Sequence, residues 1–101
     1  MTLPNEVLSK LKEAREHYIR YEELMDEVYE YIRNVYGVRT FYKETEDLTP
    51  TEKVDGVRAL LTVIAVVKDK CELGALHVLE DGRVFLKTVG GVIEELTPKG
   101  D

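Results

Sequence analysis

The stretch Val57–Val67, VRALLTVIAVV, constrains this chain more than any other. A run this rich in Val, Leu and Ile, without strict alternation, reads as a strand with both faces covered. Something must therefore lie against each face of the sheet that contains it.

Residues 4–36 supply one cover. After Pro4 they contain no Gly and no Pro, and Gly37 follows as a C-terminal cap, which predicts a single helix of about 31 residues started by Asn5 or Thr2. Apolar or small residues recur at alternating spacings of four and three: Val7, Leu11, Ala14, Tyr18, Tyr21, Met25, Val28, Ile32 and Val35. That is a heptad seam. Leu8, Leu24, Tyr29, Tyr31 and Tyr36 widen the stripe, whereas Glu6, Glu13, Glu16, Glu23, Glu27 and Glu30 form a solvent face. Such a helix is ~47 Å long, against ~20 Å for the width of a four-stranded sheet and ~26 to 36 Å for its strands. Seam residues that overhang the sheet are best buried against a second copy, so a homodimer or tetramer is expected. A helix folded back near Tyr18 to Tyr21 is the alternative, with no breaker residue to cause it.

Residues 38–43, VRTFYK, predict a first strand. Residues 44–56 are polar and acidic; within them Thr49-Pro50-Thr51-Glu52 has the spacing of a capping box, which predicts one helical turn before Asp55-Gly56. Residues 73–80 and 83–89 flank Asp81-Gly82, a strong hairpin signal. A two-residue type I′ turn there pairs Glu80 with Arg83, Val78 with Phe85 and Leu76 with Lys87, with all six side chains on one face. Gly90-Gly91 then interrupts the strand, residues 92–96 predict a short edge strand, and residues 97–101 form a tail. The expected fold is α+β, a single domain over residues 1–101. One long N-terminal helix (1–37) is packed on a four- or five-stranded antiparallel sheet (38–96).

Composition narrows the function. At 101 residues and 44% apolar side chains the chain is sized for one compact domain, burying about 65% of its unfolded surface. A net charge of -6 argues against binding duplex nucleic acid or an anionic membrane by bulk charge. The single cysteine, Cys71, precludes an internal disulfide, and with His17 and His77 it shows none of the spacings of metal sites. Neither metal nor cofactor is expected. No secretion leader and no apolar run of ~18 residues occur, so the reading is a cytoplasmic protein that does not span a membrane. Absent Gln and Trp with abundant Glu, Lys, Val and Tyr give the thermophile bias.

Two strands repeat the order basic, aromatic, basic: Arg39-x-Phe41-x-Lys43 and Arg83-x-Phe85-x-Lys87. With a period of two, each trio projects from one face of its strand. Rings flanked by cations suit sequence-tolerant binding of single-stranded nucleic acid, bases stacking on the rings and phosphates meeting the charges. Arg58 adds to the patch, and Leu60, Ile64, Leu76 and Val78 form an apolar floor between the strands. The plainer reading is a half-exposed sheet, with Glu80 and Arg83 as a cross-strand ion pair and both Phe rings in the core. The apolar central strand still requires a ligand or a subunit on the face away from the helix.

A long helix followed by about four antiparallel strands, in a small thermophile-like chain expected to oligomerise, resembles the ThermoDBP-type single-stranded-DNA-binding domain of hyperthermophilic archaea. The resemblance covers most of the chain in the order and type of its elements, without a shared sequence motif. It implies single-strand binding in a sheet cleft with an apolar floor and a basic rim.

Catalysis needs a base in reach of Cys71, Ser9 or a Thr, and the sequence offers only His17 and His77, the latter among apolar neighbours. No enzyme is expected. The function expected is sequence-nonspecific single-stranded nucleic-acid binding by a homo-oligomer, through Arg39, Phe41, Lys43, Arg58, Arg83, Phe85 and Lys87, with DNA or RNA left open. The alternative is a homo-oligomeric scaffold or adaptor that binds protein through the same sheet face.

Overall fold

The computed structural model of this protein describes residues 2–41, 45–67 and 72–98. The elements in order are helix α1 (Asn5–Tyr36) and strands β1 (Val38–Thr40), β2 (Lys53–Val54), β3 (Val57–Val67), β4 (Glu72–Leu79), β5 (Val84–Thr88) and β6 (Ile93–Leu96). This is an α+β fold, with one long N-terminal helix and an antiparallel sheet ordered β1-β3-β4-β5-β6, to which β2 adds a short ribbon on β3. The chain divides into two compact units, Met1–Glu30 and Tyr31–Asp101.

Helix α1 runs unbroken for 32 residues. The amides of Val7 and Leu8 both donate to the Pro4 carbonyl at 3.0 Å, so Pro4 holds the cap position and Asn5 is the first helical residue. At the other end the Gly37 amide donates to the Arg33 carbonyl at 3.2 Å, with Gly37 at φ 69. All residues from Thr2 to Arg20 are exposed, among them Val7, Leu11 and Tyr18 of the seam. Among the described residues no helix is long and apolar enough to cross a membrane.

In the second unit the central strand has the bounds expected from its apolar run. Strand β3 pairs with β1 on one side and β4 on the other, Val38 opposite Val67 and Val63 opposite Leu76. One sheet face carries Val38, Leu61, Val63, Ala65, Leu76, Val84 and Leu86, all buried. Ile32, in the part of α1 that belongs to this unit, is buried as well. The first strand is shorter than expected, Val38–Thr40, and Lys43 lies outside the described residues.

The β4–β5 hairpin corrects the expected register. Cα partners are Val78 and Val84, His77 and Phe85, Leu76 and Leu86, Ala75 and Lys87. The Leu79 amide donates to the Arg83 carbonyl and the Gly82 amide to the Leu79 carbonyl, both at 2.9 Å. The loop therefore has three residues, Glu80, Asp81 and Gly82, of which only Gly82 has a positive φ, 91°. The type I′ turn needs positive φ at both Asp81 and Gly82. A slip of one residue swaps the partners of a whole face. The observed register puts Val84 and Leu86 beside Leu76 and Val78 in the core and leaves Lys87 on the other face, which avoids burying an ammonium group.

The expected helical turn at Thr49 to Glu52 is also corrected. The Asp47 amide and carbonyl bond to Thr62 at 2.8 and 3.1 Å, and the Glu52 carbonyl accepts from the Ala59 amide at 3.1 Å, so this segment runs alongside β3 instead of coiling into a helical turn. Asp55 and Gly56, at φ 54 and 79, form the tight turn joining β2 to β3, with Val54 opposite Val57. The Asp-Gly signal thus makes its two-positive-φ turn here, not at Asp81-Gly82. A register shift between Ala59 and Leu61 leaves Leu60 exposed and turns Ala59 inward, into a small core with Val54, Leu79 and Phe85.

Candidate functional site

The sheet face opposite the main core is half covered. At the end near β2 the 47–54 segment pairs alongside β3, Val54 packs with Ala59, Leu79 and Phe85, and the Glu52 side chain approaches His77 and Lys87. At the other end the face is open. Ile64, Leu73 and Val89 are 39, 47 and 84% exposed, and with Ala75 and Lys87 they line a shallow groove of about 250 Å³. The period of two explains the assembly: Ile64 is opposite Ala75 on β4, and Ala75 is opposite Lys87 on β5.

The seven residues expected to meet nucleic acid do not form one cluster. Arg39, exposed, is opposite Val66, and the half-buried Phe41 donates its amide to the Ile64 carbonyl at 2.8 Å. These two and Lys87 share the face of the groove. Arg58, Arg83 and Phe85 belong to the covered end. Arg58 lies 3.9 Å from the Glu80 carboxylate. The Arg83 guanidinium is clamped between Asp81 at 2.8 Å and Asp55 at 2.9 Å, and these hydrogen bonds, that to Asp55 foremost, raise its pKa. Its central carbon is 5.4 Å from the centroid of the Phe85 ring, a cation–π geometry. Phe85 is only 8% exposed, so this ring is core and not a stacking platform. Of the residues expected in the apolar floor, Leu76 and Val78 face the main core, whereas Ile64 does line the groove, together with Leu73, Ala75 and Val89.

Between the covered and open ends sits a polar cluster that the sequence reading missed. His77, 1% exposed, is 2.8 Å from Thr62 Oγ1 through Nδ1. Its Nε2 lies 3.8 Å from Glu52 Oε2 and has no hydrogen-bond partner among the described residues. Lys87 Nζ lies 3.7 Å from the other oxygen, Glu52 Oε1. Burial pushes the imidazole pKa down, Glu52 opposes this, and Lys87 adds to the lowering, so the ring is neutral at pH 7. The amphipathic reading of β4 found His77 buried. Glu52 carried no signal, because its approach depends on a turn at Asp55-Gly56 that the capping-box pattern concealed.

No protein-family model, curated protein or solved structure matches this chain. Among the described residues no three His, Cys, Asp or Glu side chains are grouped to hold a metal ion.

Proposed function

We propose that the open half of the outer sheet face binds single-stranded nucleic acid without sequence preference, as a non-enzymatic binding module. The observation that carries the reading is an apolar groove on a solvent-facing sheet surface, with Lys87 at its edge and Arg39 on the same face. Bases lie over Ile64, Leu73 and Val89, Phe41 offers the aromatic ring of that face, and phosphates meet Lys87 and Arg39. The -6 net charge confines binding to where cations are local and makes it sensitive to salt. The resemblance to ThermoDBP-type domains supports the same reading, and a cytoplasmic setting belongs to the proposal.

Self-association belongs to the proposal. Val7, Leu11 and Tyr18 are 46, 58 and 60% exposed along a 3.5-residue repeat, and a seam of that period is matched by another helix of the same kind.

The test is fluorescence anisotropy of a labelled oligothymidine, with the matching duplex as control, at low and moderate salt. Micromolar or tighter binding of the single strand alone, with a log-log salt slope of about -1.4 for two phosphate contacts, is the expected result. Leu73→Glu should abolish it while leaving oligomer size unchanged. Absence of binding at low salt would refute the proposal. If Leu73→Glu instead dissociates the assembly, the groove is a protein interface and the scaffold reading replaces it.

A further inference from the structure

We infer that the Glu52 carboxylate is an internal stand-in for a ligand oxyanion, and that the space it holds between His77 Nε2 and Lys87 Nζ is a phosphate subsite at the edge of the groove. The inference rests on the proposed nucleic-acid reading for the source of the phosphate, but not for the chemistry of the subsite.

The argument begins with the imidazole. Nε2 is aimed at a carboxylate, which when ionised only accepts hydrogen bonds, and an imidazole lone pair facing it would be repelled. The proton therefore resides on Nε2, and Nδ1 accepts from the Thr62 hydroxyl across the strands. This leaves a buried N–H donor of fixed direction with no partner among the described residues. Unpaired buried donors are rare in folded proteins and call for a reason.

Glu52 does not satisfy it. Hydrogen bonds from N–H to oxygen span ~2.7 to 3.2 Å, whereas the carboxylate stands 3.8 Å from His77 Nε2 and 3.7 Å from Lys87 Nζ. Two donors from neighbouring strands thus converge on one anion that reaches neither. A phosphate group presents more oxygens on a larger tetrahedron and can bond both donors at once. The Glu52 side chain is 46% exposed and hangs from the extended segment beside the hairpin, so it can swing into solvent without disturbing the sheet. Lys87 also lines the groove, which puts the subsite where the backbone of a strand lying in that groove would pass. The same donors would take free inorganic phosphate. Either way, Glu52 competes with the ligand and holds affinity down.

The test is Glu52→Gln, which keeps the shape of the side chain and removes its charge, with Glu52→Ala as a second variant. Inorganic phosphate is titrated while the His77 Nε2–H resonance is followed by NMR, and labelled oligothymidine is titrated in parallel. The expected result is that phosphate moves the His77 signal in Glu52→Gln at a concentration about fivefold lower than in the wild type, the scale of one partly exposed charge pair. Oligothymidine binding should tighten by a similar factor. Adding Lys87→Gln should remove both gains. A phosphate response with no oligothymidine binding supports the subsite, identifies free phosphate as its ligand and refutes the nucleic-acid reading. Oligothymidine binding that is equal in all variants, with a His77 signal that phosphate never moves, overturns the subsite and leaves the nucleic-acid reading standing.

Discussion

Thr62 and His77 are direct partners across β3 and β4, and their side chains repeat the connection, with Thr62 Oγ1 2.8 Å from His77 Nδ1. Thr62 is half-buried and His77 almost wholly buried, so this bond satisfies a ring nitrogen that solvent does not reach. Thr62→Val keeps the β-branched shape and leaves Nδ1 unpaired. A loss of about 1 to 3 kcal/mol is expected in urea denaturation, whereas Thr62→Ser should retain most of the stability. Equal stability of Thr62→Val and wild type would show that the hydroxyl contributes nothing.

The same imidazole sets a pH dependence. Burial lowers its pKa in the folded state below the ordinary 6.5, so between the two values the unfolded chain binds more protons than the native one. Stability then rises with pH in that interval. Its contribution is complete above the unfolded pKa and is lost as pH falls through the folded pKa. The midpoint of denaturation should fall from about pH 7.5 to about pH 5.5, and His77→Gln should flatten that part of the curve. A wild-type profile already flat over the range would contradict the assignment of a neutral, buried ring.

Phe85 and Ile64 should behave oppositely. Phe85 packs with Val54, Ala59 and Leu79 under the Arg83 guanidinium, and Phe85→Ala should cost about 3 to 5 kcal/mol through the cavity it leaves. Ile64 is 39% exposed, and Ile64→Ala should cost less than about 1.5 kcal/mol while weakening any ligand held by the groove. Denaturation curves beside the oligothymidine titration separate the two roles. A Phe85→Ala protein of wild-type stability would return this ring to the candidate interface.

Features governed by short-range geometry were legible in the sequence. The helix follows from an uninterrupted heptad pattern closed by Gly37, and the central strand from one apolar run between polar turns. The candidate face was legible only in part. Arg39 and Phe41 share a face because period-two alternation holds within any strand, whereas Lys87 joins them through the register of β3, β4 and β5. Arg83 and Phe85 looked identical in pattern to Arg39 and Phe41, yet Val54 of β2 packs with the Phe85 ring, and the guanidinium is paired with Asp55 of the β2–β3 turn and Asp81 of its own hairpin loop.

The sequence by itself determined the fold class, the single long helix, the bounds of the central strand and the absence of an internal disulfide. These depend on backbone propensities, side-chain period and residue counts, which are local quantities. Tertiary structure decided the register of the β4–β5 hairpin, the course of the 45–54 segment and the meeting of Glu52, His77 and Lys87. An Asp-Gly pair admits more than one hairpin geometry, and the choice is made by which register keeps Lys87 out of the core while burying Val84 and Leu86. That free-energy difference belongs to the assembled sheet, so no window of the sequence contains it.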